Sequence, residues 1–299
     1  MNTMADQRVV VGIDGSDSAL RAVRWAAGQA RRRNAGLRLV HAVEVFTGYA
    51  PRVVDWHALQ TAMQERGRLW LDKARDEARQ VAPALHVDTD LVEVSPVVAL
   101  ARESVDAALV VLGSRGLGGF SGLVLGSTAV QLAGRARCPL VVIRGEHDGP
   151  VVTTGPVVVG VDGTEVGEDA IAFAFAEASA RGAELVVVQA WSDLVLEAAY
   201  AAGGAAAFDL DRLQQQSEKL LAERLAGWQE KYPDVHITRE VVRDRAARAL
   251  LRHATDAQLL VVGTRGRGGF SGLLLGSTSQ HMLHHAACPV AIVRTATEH

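Results

Sequence analysis

Residues 113–128 read GSRGLGGFSGLVLGST, and residues 263–278 read GTRGRGGFSGLLLGST. The two stretches differ only at Ser114/Thr264, Leu117/Arg267 and Val124/Leu274. Outward from them, VVVGIDGS (9–16) is matched by VVVGVDGT (157–164), and RCPLVVIR (137–144) by ACPVAIVR (287–294). The interval between copies stays at 148–150 residues, so the chain is a tandem duplication. One domain is expected over 1–148 and a second over 153–299, joined through GEHDGPVVTTGP (145–156), whose Gly, Pro and Thr suit a linker.

Each copy alternates short apolar runs with longer amphipathic segments. In the first, the pattern predicts strands over Val9–Ile13, Leu37–Val43, His86–Val92, Ala108–Leu112 and Leu140–Ile143. Helices are expected over Ser18–Arg33, from about Trp56 to Val81, around Val97–Val105, and from about Gly126 after a loop at 113–125. Continuous Val/Leu/Ile strands alternating with helices indicate a parallel sheet covered on both faces. The fold class is therefore α/β, a doubly wound parallel sheet, present twice.

In open sheets of this kind ligands bind beyond the carboxyl ends of the strands, where the winding order reverses. Asp14 ends the first strand and Asp162 its repeat. An acidic residue before Gly-Ser also commonly caps the following helix. The loop after Leu112 carries more information. Gly113, Gly116, Gly118, Gly119 and Gly122 allow positive φ and hold no Cβ against a ligand. Successive N–H groups in such a turn form an anion-binding nest. Gly126-Ser127-Thr128 then opens a helix whose free donors and positive dipole end favour phosphate. The Ser127 hydroxyl can cap that helix, bond a phosphate oxygen, or do both. Arg115, and Arg265 and Arg267 in the repeat, can reach over bound phosphates.

The pattern Gly-x2-Gly-x9-Gly-Ser, here Gly113, Gly116, Gly126 and Ser127, resembles the nucleotide-binding signature of the universal stress protein family. The second copy repeats it as Gly263, Gly266, Gly276 and Ser277. Asp at the end of the first strand, a second strand ending His41-Ala42, and Cys-Pro before the last strand agree with it. The resemblance covers essentially the whole chain and implies two Rossmann-like domains of the adenine nucleotide alpha hydrolase type, strand order 3-2-1-4-5. It implies ATP as ligand, with or without Mg²⁺. By family pattern Asp14 and Asp162 meet the base or ribose end, and the backbone at Ala42 and Ala190 lines the adenine pocket. The loop glycines with Ser127 and Thr128, or Ser277 and Thr278, hold the phosphates. Pairing through the last strand is also implied, bringing Val141–Ile143 to Ala291–Val293, together with a homodimer and a protein partner that responds to occupancy. The repeat has Gln189 where the first copy has His41, so the two pockets need not be equal.

Composition bounds the alternatives. Of 299 residues, 48% are hydrophobic and 22% charged, with a net charge of −3, which gives no general affinity for nucleic-acid phosphate or anionic lipid. No apolar run approaches the roughly 18–20 residues of a membrane span, and the apolar run at the N-terminus stops at Asp14, unlike a signal peptide. Cys138 and Cys288 stand alone before Pro and read as buried thiols, which suits a cytoplasmic setting. Lys73, Lys219 and Lys231 are the only lysines and none follows a Gly-rich turn, which excludes a Walker phosphate loop. His281, His284 and His285 share a helix face, a spacing that can bind metal; with no Cys or carboxylate cluster beside them, a plain surface helix is expected and no metal site is assigned.

The leading functional expectation is a nucleotide-binding stress-response regulator. Slow ATP hydrolysis or nucleotidyl transfer is the enzyme alternative, but DGSDS (14–18) lacks the SGGxDS loop of such enzymes and GFSG (119–122) is not the GxSxG elbow of hydrolases. No catalytic residue is assigned. A nucleotide-free scaffold would tolerate eroded glycines in one copy, and both copies are intact. The long segments 44–70 and 192–225, where the copies differ most, are expected to pack as amphipathic helix plus loop, with a flap over each pocket as the alternative.

Overall fold

A computed structural model describes residues 8–44, 55–116, 125–144, 153–163, 167–190, 210–264 and 275–294. The chain divides into two units, Met1–His147 and Asp148–His299. In the first, β1 (Val9–Gly12), α1 (Asp17–Arg33), β2 (Leu37–Ala42), α2 (Trp56–Val81) and β3 (Val87–Val92) are followed by α3 (Pro96–Glu103), β4 (Leu109–Gly113), α4 (Ser127–Ala133) and β5 (Leu140–Ile143). The second repeats the plan with β6 (Val157–Val161), α5 (Glu168–Arg181), β7 (Leu185–Ala190), α6 (Leu210–Lys231) and β8 (Ile237–Val242). It ends with α7 (Ala246–Ala254), β9 (Leu259–Gly263), α8 (Ser277–His285) and β10 (Val290–Val293).

The first sheet runs β3-β2-β1-β4-β5, all parallel, with Val9 in register with Leu37 on one side and Leu109 on the other. The second runs β8-β7-β6-β9-β10, again parallel. Both orders are 3-2-1-4-5, the arrangement expected from the resemblance. In each the order reverses beside the first strand, between β1 and β4 and between β6 and β9.

Burial explains why these strands form. Val9, Val10 and Val11 are fully enclosed, as are Leu109, Val110 and Val111 beside them. Each such side chain contributes roughly 1.5–3 kcal/mol. Helices α1 and α2 pack against each other, and α3 packs against α4. Ser16 caps α1, its Oγ accepting from the Ala19 N–H at 3.1 Å. The helix stops where Asn34 turns left-handed at φ 51°, and α5 stops at the equivalent Gly182 at φ 58°. Among the described residues no helix is long and apolar enough to cross a membrane.

Cys138 and Cys288 are buried free thiols, each pushed up to about 12 by burial from an ordinary value of 9.0. Thiolate is then scarce at neutral pH. Alkylation of the native protein at pH 8 is expected to be at least tenfold slower than in denaturant, where both thiols react; mass shifts over time check this. Because the folded thiols are the weaker acids, stability is untouched below pH 9 and falls as pH rises from there toward 12.

Candidate functional site

The reversal point of the first unit is also where its chain makes its tightest approaches. Gly15 follows β1 at φ 84°, a conformation side chains rarely adopt. The turn brings Ser16 back onto Asp14, whose Oδ1 accepts from the Ser16 N–H at 3.0 Å and from its hydroxyl at 2.6 Å. The capping expected of an acidic residue here falls to Ser16 instead, and Asp14 fixes the cap. From β4, Gly113 presses onto the first turn of α1, where an added Cβ would come within 2.6 Å of Ser18 Oγ. The Arg115 N–H donates to Ser18 Oγ at 3.3 Å. Gly116 then lies over Asp14, and a Cβ there would collide with Oδ2.

The loop is closed at its neck. The Gly126 N–H donates to the Ser114 carbonyl at 2.8 Å, and in the second unit the Gly276 N–H donates to the Thr264 carbonyl at 2.7 Å. Gly126 and Gly276 are the N-caps of α4 and α8, with no side-chain capping bond. Ser127 and Ser277 are therefore the first helical residues rather than caps, because the chain enters the helix one residue earlier than the hydroxyl reading supposes. Gly113, Gly116 and Gly126 do not use positive φ. At Gly113 and Gly116 the missing Cβ serves close approach. Gly118, Gly119 and Gly122 lie outside the described residues.

These pieces surround one cavity of about 630 Å³ at the carboxyl ends of β1, β2 and β4. Asp14, Ala42, Gly113, Arg115, Gly116, Gly126, Ser127 and Thr128 all line it, so the first-copy residues singled out from the sequence that are described converge there. Ile13, Val40, Leu100 and Leu112 give it apolar walls. Arg115 is the cation among its described lining residues; outside the lining, burial, then the neighbouring Arg115, lowers the Arg144 guanidinium below its ordinary value.

Two lining residues were not assigned roles by the sequence. His41 donates from Nδ1 to the Ile13 carbonyl at 2.7 Å, which fixes its tautomer. Trp70, from α2, stands edge-on to it with ring centroids 5.2 Å apart. The segment holding Trp70 was expected to be ordinary amphipathic packing; it is helix, and this face of it forms a pocket wall. The signal available was Gly67, three residues before Trp70 and the only glycine of α2. A Cβ there would run into the His41 ring.

In the second unit Asp162 follows β6, Gly163 turns at φ 76°, and Ala190 and Gly263 end their strands. Gly276, Ser277 and Thr278 open α8. Arg265, Gly266 and Arg267 lie outside the described residues. His281 and His285 face each other at 4.3 Å between ring centroids. Among the described residues no group of three or more His, Cys, Asp or Glu is placed to hold a metal.

The family model described as universal stress protein family matches residues 7–144 and again 153–294. Universal stress protein Rv2005c of Mycobacterium tuberculosis is 42% identical over 290 residues, covering 96% of this chain and 96% of that one. Universal stress protein Rv2623 of the same organism is 42% identical over 298 residues, again covering 96% of each. The crystal structure of a universal stress protein from Archaeoglobus fulgidus matches with a TM-score of 0.67 over 98% of this chain and 99% of that one, at 15% identity, a likeness of fold.

Proposed function

The chain belongs to the universal stress protein family, with its domain present twice, and from that footing we propose that it is an ATP-binding regulatory protein taking one adenine nucleotide per domain. The observation that carries this is the cavity of about 630 Å³ into which the Asp14 turn, the end of β2 and the neck of the glycine loop converge. That volume lies within the roughly 300–1,000 Å³ usual for small-ligand pockets. Its chemistry is divided as a nucleotide requires: apolar walls from Ile13, Val40 and Leu112 suit a base, and Arg115, Ser127 and Thr128 suit phosphate. A Cβ at Gly116 would fill the space against Asp14, as a cradle for a ligand demands.

On this reading Asp14 accepts from the ribose or base, the backbone at Ala42 meets the adenine edge, and Mg²⁺ accompanies the phosphates. Asp162, Ala190, Gly263, Arg265, Gly266, Gly276, Ser277 and Thr278 play the same parts in the second domain. Binding rather than turnover is favoured. A switch requires only different affinities for two states, whereas hydrolysis requires a positioned water and its base. Among the described lining residues, His41 Nδ1 is committed to Ile13 and Asp14 Oδ1 to Ser16. The protein acts in the cytoplasm as a homodimer whose protein partner responds to occupancy.

The test begins with protein purified without added nucleotide, denatured, and its released small molecules identified by chromatography with mass detection. Adenine nucleotide approaching two per chain is the expected result. None released, with no binding of Mg·ATP by calorimetry, would replace this reading with that of a nucleotide-free scaffold.

A further inference from the structure

The two units keep one end of the site and change the other. Asp14/Asp162, Gly15/Gly163, Ala42/Ala190, Gly113/Gly263, Gly116/Gly266, Gly126/Gly276 and Ser127/Ser277 are the same in both. The wall formed by His41, Gly67 and Trp70 is not. Helices α2 and α6 end at the same interval before β3 and β8, with Pro83 and Pro233 at matching positions, so their residues pair off directly. Buried Leu71 then corresponds to buried Leu221, which confirms the register. Gly67 corresponds to Ser217, Trp70 to Leu220, and His41 to Gln189.

The three changes belong together physically. Gly67 lets α2 lie against the His41 ring, and Gly15 leaves room for the Trp70 indole, which a Cβ at that position would overlap. Trp70 is thereby held between the Gly15 turn and the His41 ring, and it lines the cavity. In the second unit Leu220 is 56% exposed. The aromatic bulk of α6 sits elsewhere: Trp228 and Tyr232 stack on Phe175 at 5.9 and 5.7 Å, where the first unit has Ala78, Ala82 and Ala27.

We infer that Trp70, set by His41 and Gly67, is the base-selecting wall of the first pocket, and that the second pocket binds the same phosphates with weaker discrimination among bases. This rests on the nucleotide reading above and adds to it that the tandem halves are unequal. Arg66 lies over the Trp70 ring, 4.9 Å from its centroid, so the indole offers the cavity a cation-backed aromatic wall beside the end of β2; contact with that wall grows with the flat area of the base, which favours a purine over a pyrimidine nucleotide.

Two single-pocket chains test this: Gly266→Glu to leave the first pocket and Gly116→Glu to leave the second. Calorimetric affinities for Mg·ATP and Mg·CTP are measured on each. The ATP-over-CTP preference is expected to be about tenfold larger in the first pocket than in the second, the scale of one aromatic stacking contact. Trp70→Leu in the Gly266→Glu chain removes that excess, and Trp70→Phe, which keeps a ring, retains most of it; far-UV circular dichroism and melting confirm that each chain is folded. Equal preferences in the two pockets, or an unchanged preference in the Trp70→Leu chain, overturns the inference while leaving ATP binding in place. No binding of either nucleotide by the unsubstituted protein overturns both.

Discussion

Replacing Glu177 by alanine is expected to destabilise the second domain by about 3–5 kcal/mol, the range for removing one partner of a buried ion pair. Glu177 and Arg181, one helical turn apart on α5, are only 1% and 3% exposed and bond at 2.9 Å. Arg181 also donates to Gln258 Oε1 at 2.9 Å, and Gln258 Nε2 donates to the Gly155 carbonyl at 2.6 Å. The network therefore ties α5 to the entries of both β9 and β6. Without Glu177 the guanidinium keeps its desolvation cost and loses the charge that offset it. For a domain of this size the loss corresponds to a fall in melting temperature of roughly 10 °C.

The first domain supplies the control. Its equivalent of Glu177 is Gln29, fully buried, whose Oε1 accepts from Arg32 at 2.8 Å. Glu177→Gln should then cost less than half of what Glu177→Ala costs, since an acceptor remains. Calorimetric melting of the three chains decides the matter. Equal losses for Gln and Ala would show that charge, not hydrogen bonding, holds the site. No loss for Ala would remove the pair from the account of stability.

The comparison of the two halves also shows what a sequence can disclose. The strands were legible because their apolar runs are continuous: Val9–Gly12 and Leu140–Ile143 form where the pattern places them, and α2 spans Trp56–Val81 as its periodicity predicts. The glycine-loop side of the cavity was legible because its residues lie within one short loop and helix start. Trp70 was not, since it reaches the cavity only through a helix distant in sequence from Asp14. Its placement depends on two absent Cβ atoms, at Gly15 and Gly67, which are 52 residues apart and whose joint effect on one indole only the fold discloses. The roles of Asp14 and Ser127 were open for a related reason. Asp or Ser beside a helix start serves equally as cap or ligand contact, and only the observed bonds assign the cap of α1 to Ser16 and leave Gly126 at the start of α4.

Gly116→Glu is expected to lower nucleotide stoichiometry from two per chain to one. The position is sterically special rather than conformationally special, because Gly116 does not adopt positive φ. Any Cβ there meets Asp14 Oδ2, so the loop must lift or the Asp14 turn must yield. A glutamate further places a second carboxylate beside Asp14 at a site proposed to take polyphosphate. Loss of affinity in that pocket by at least a hundredfold follows, since like charges in contact there would cost several kcal/mol. The fold should survive, because even in a well-packed core overpacking costs only about 1–3 kcal/mol and the neck bond from Gly126 to Ser114 lies outside the clash. The steric part of the effect is separable. Gly116→Ala carries the collision without the charge, and pairing it with Asp14→Ala removes the atom it strikes. A double-mutant cycle on melting temperature should then show coupling between the two positions, as residues in contact do. Calorimetry with Mg·ATP reads the stoichiometry. Two sites of unaltered affinity in the Gly116→Glu chain would detach the glycine loop from binding altogether, and a melting temperature lowered as far as that of Glu177→Ala would mean that Gly116 serves the fold before it serves the ligand.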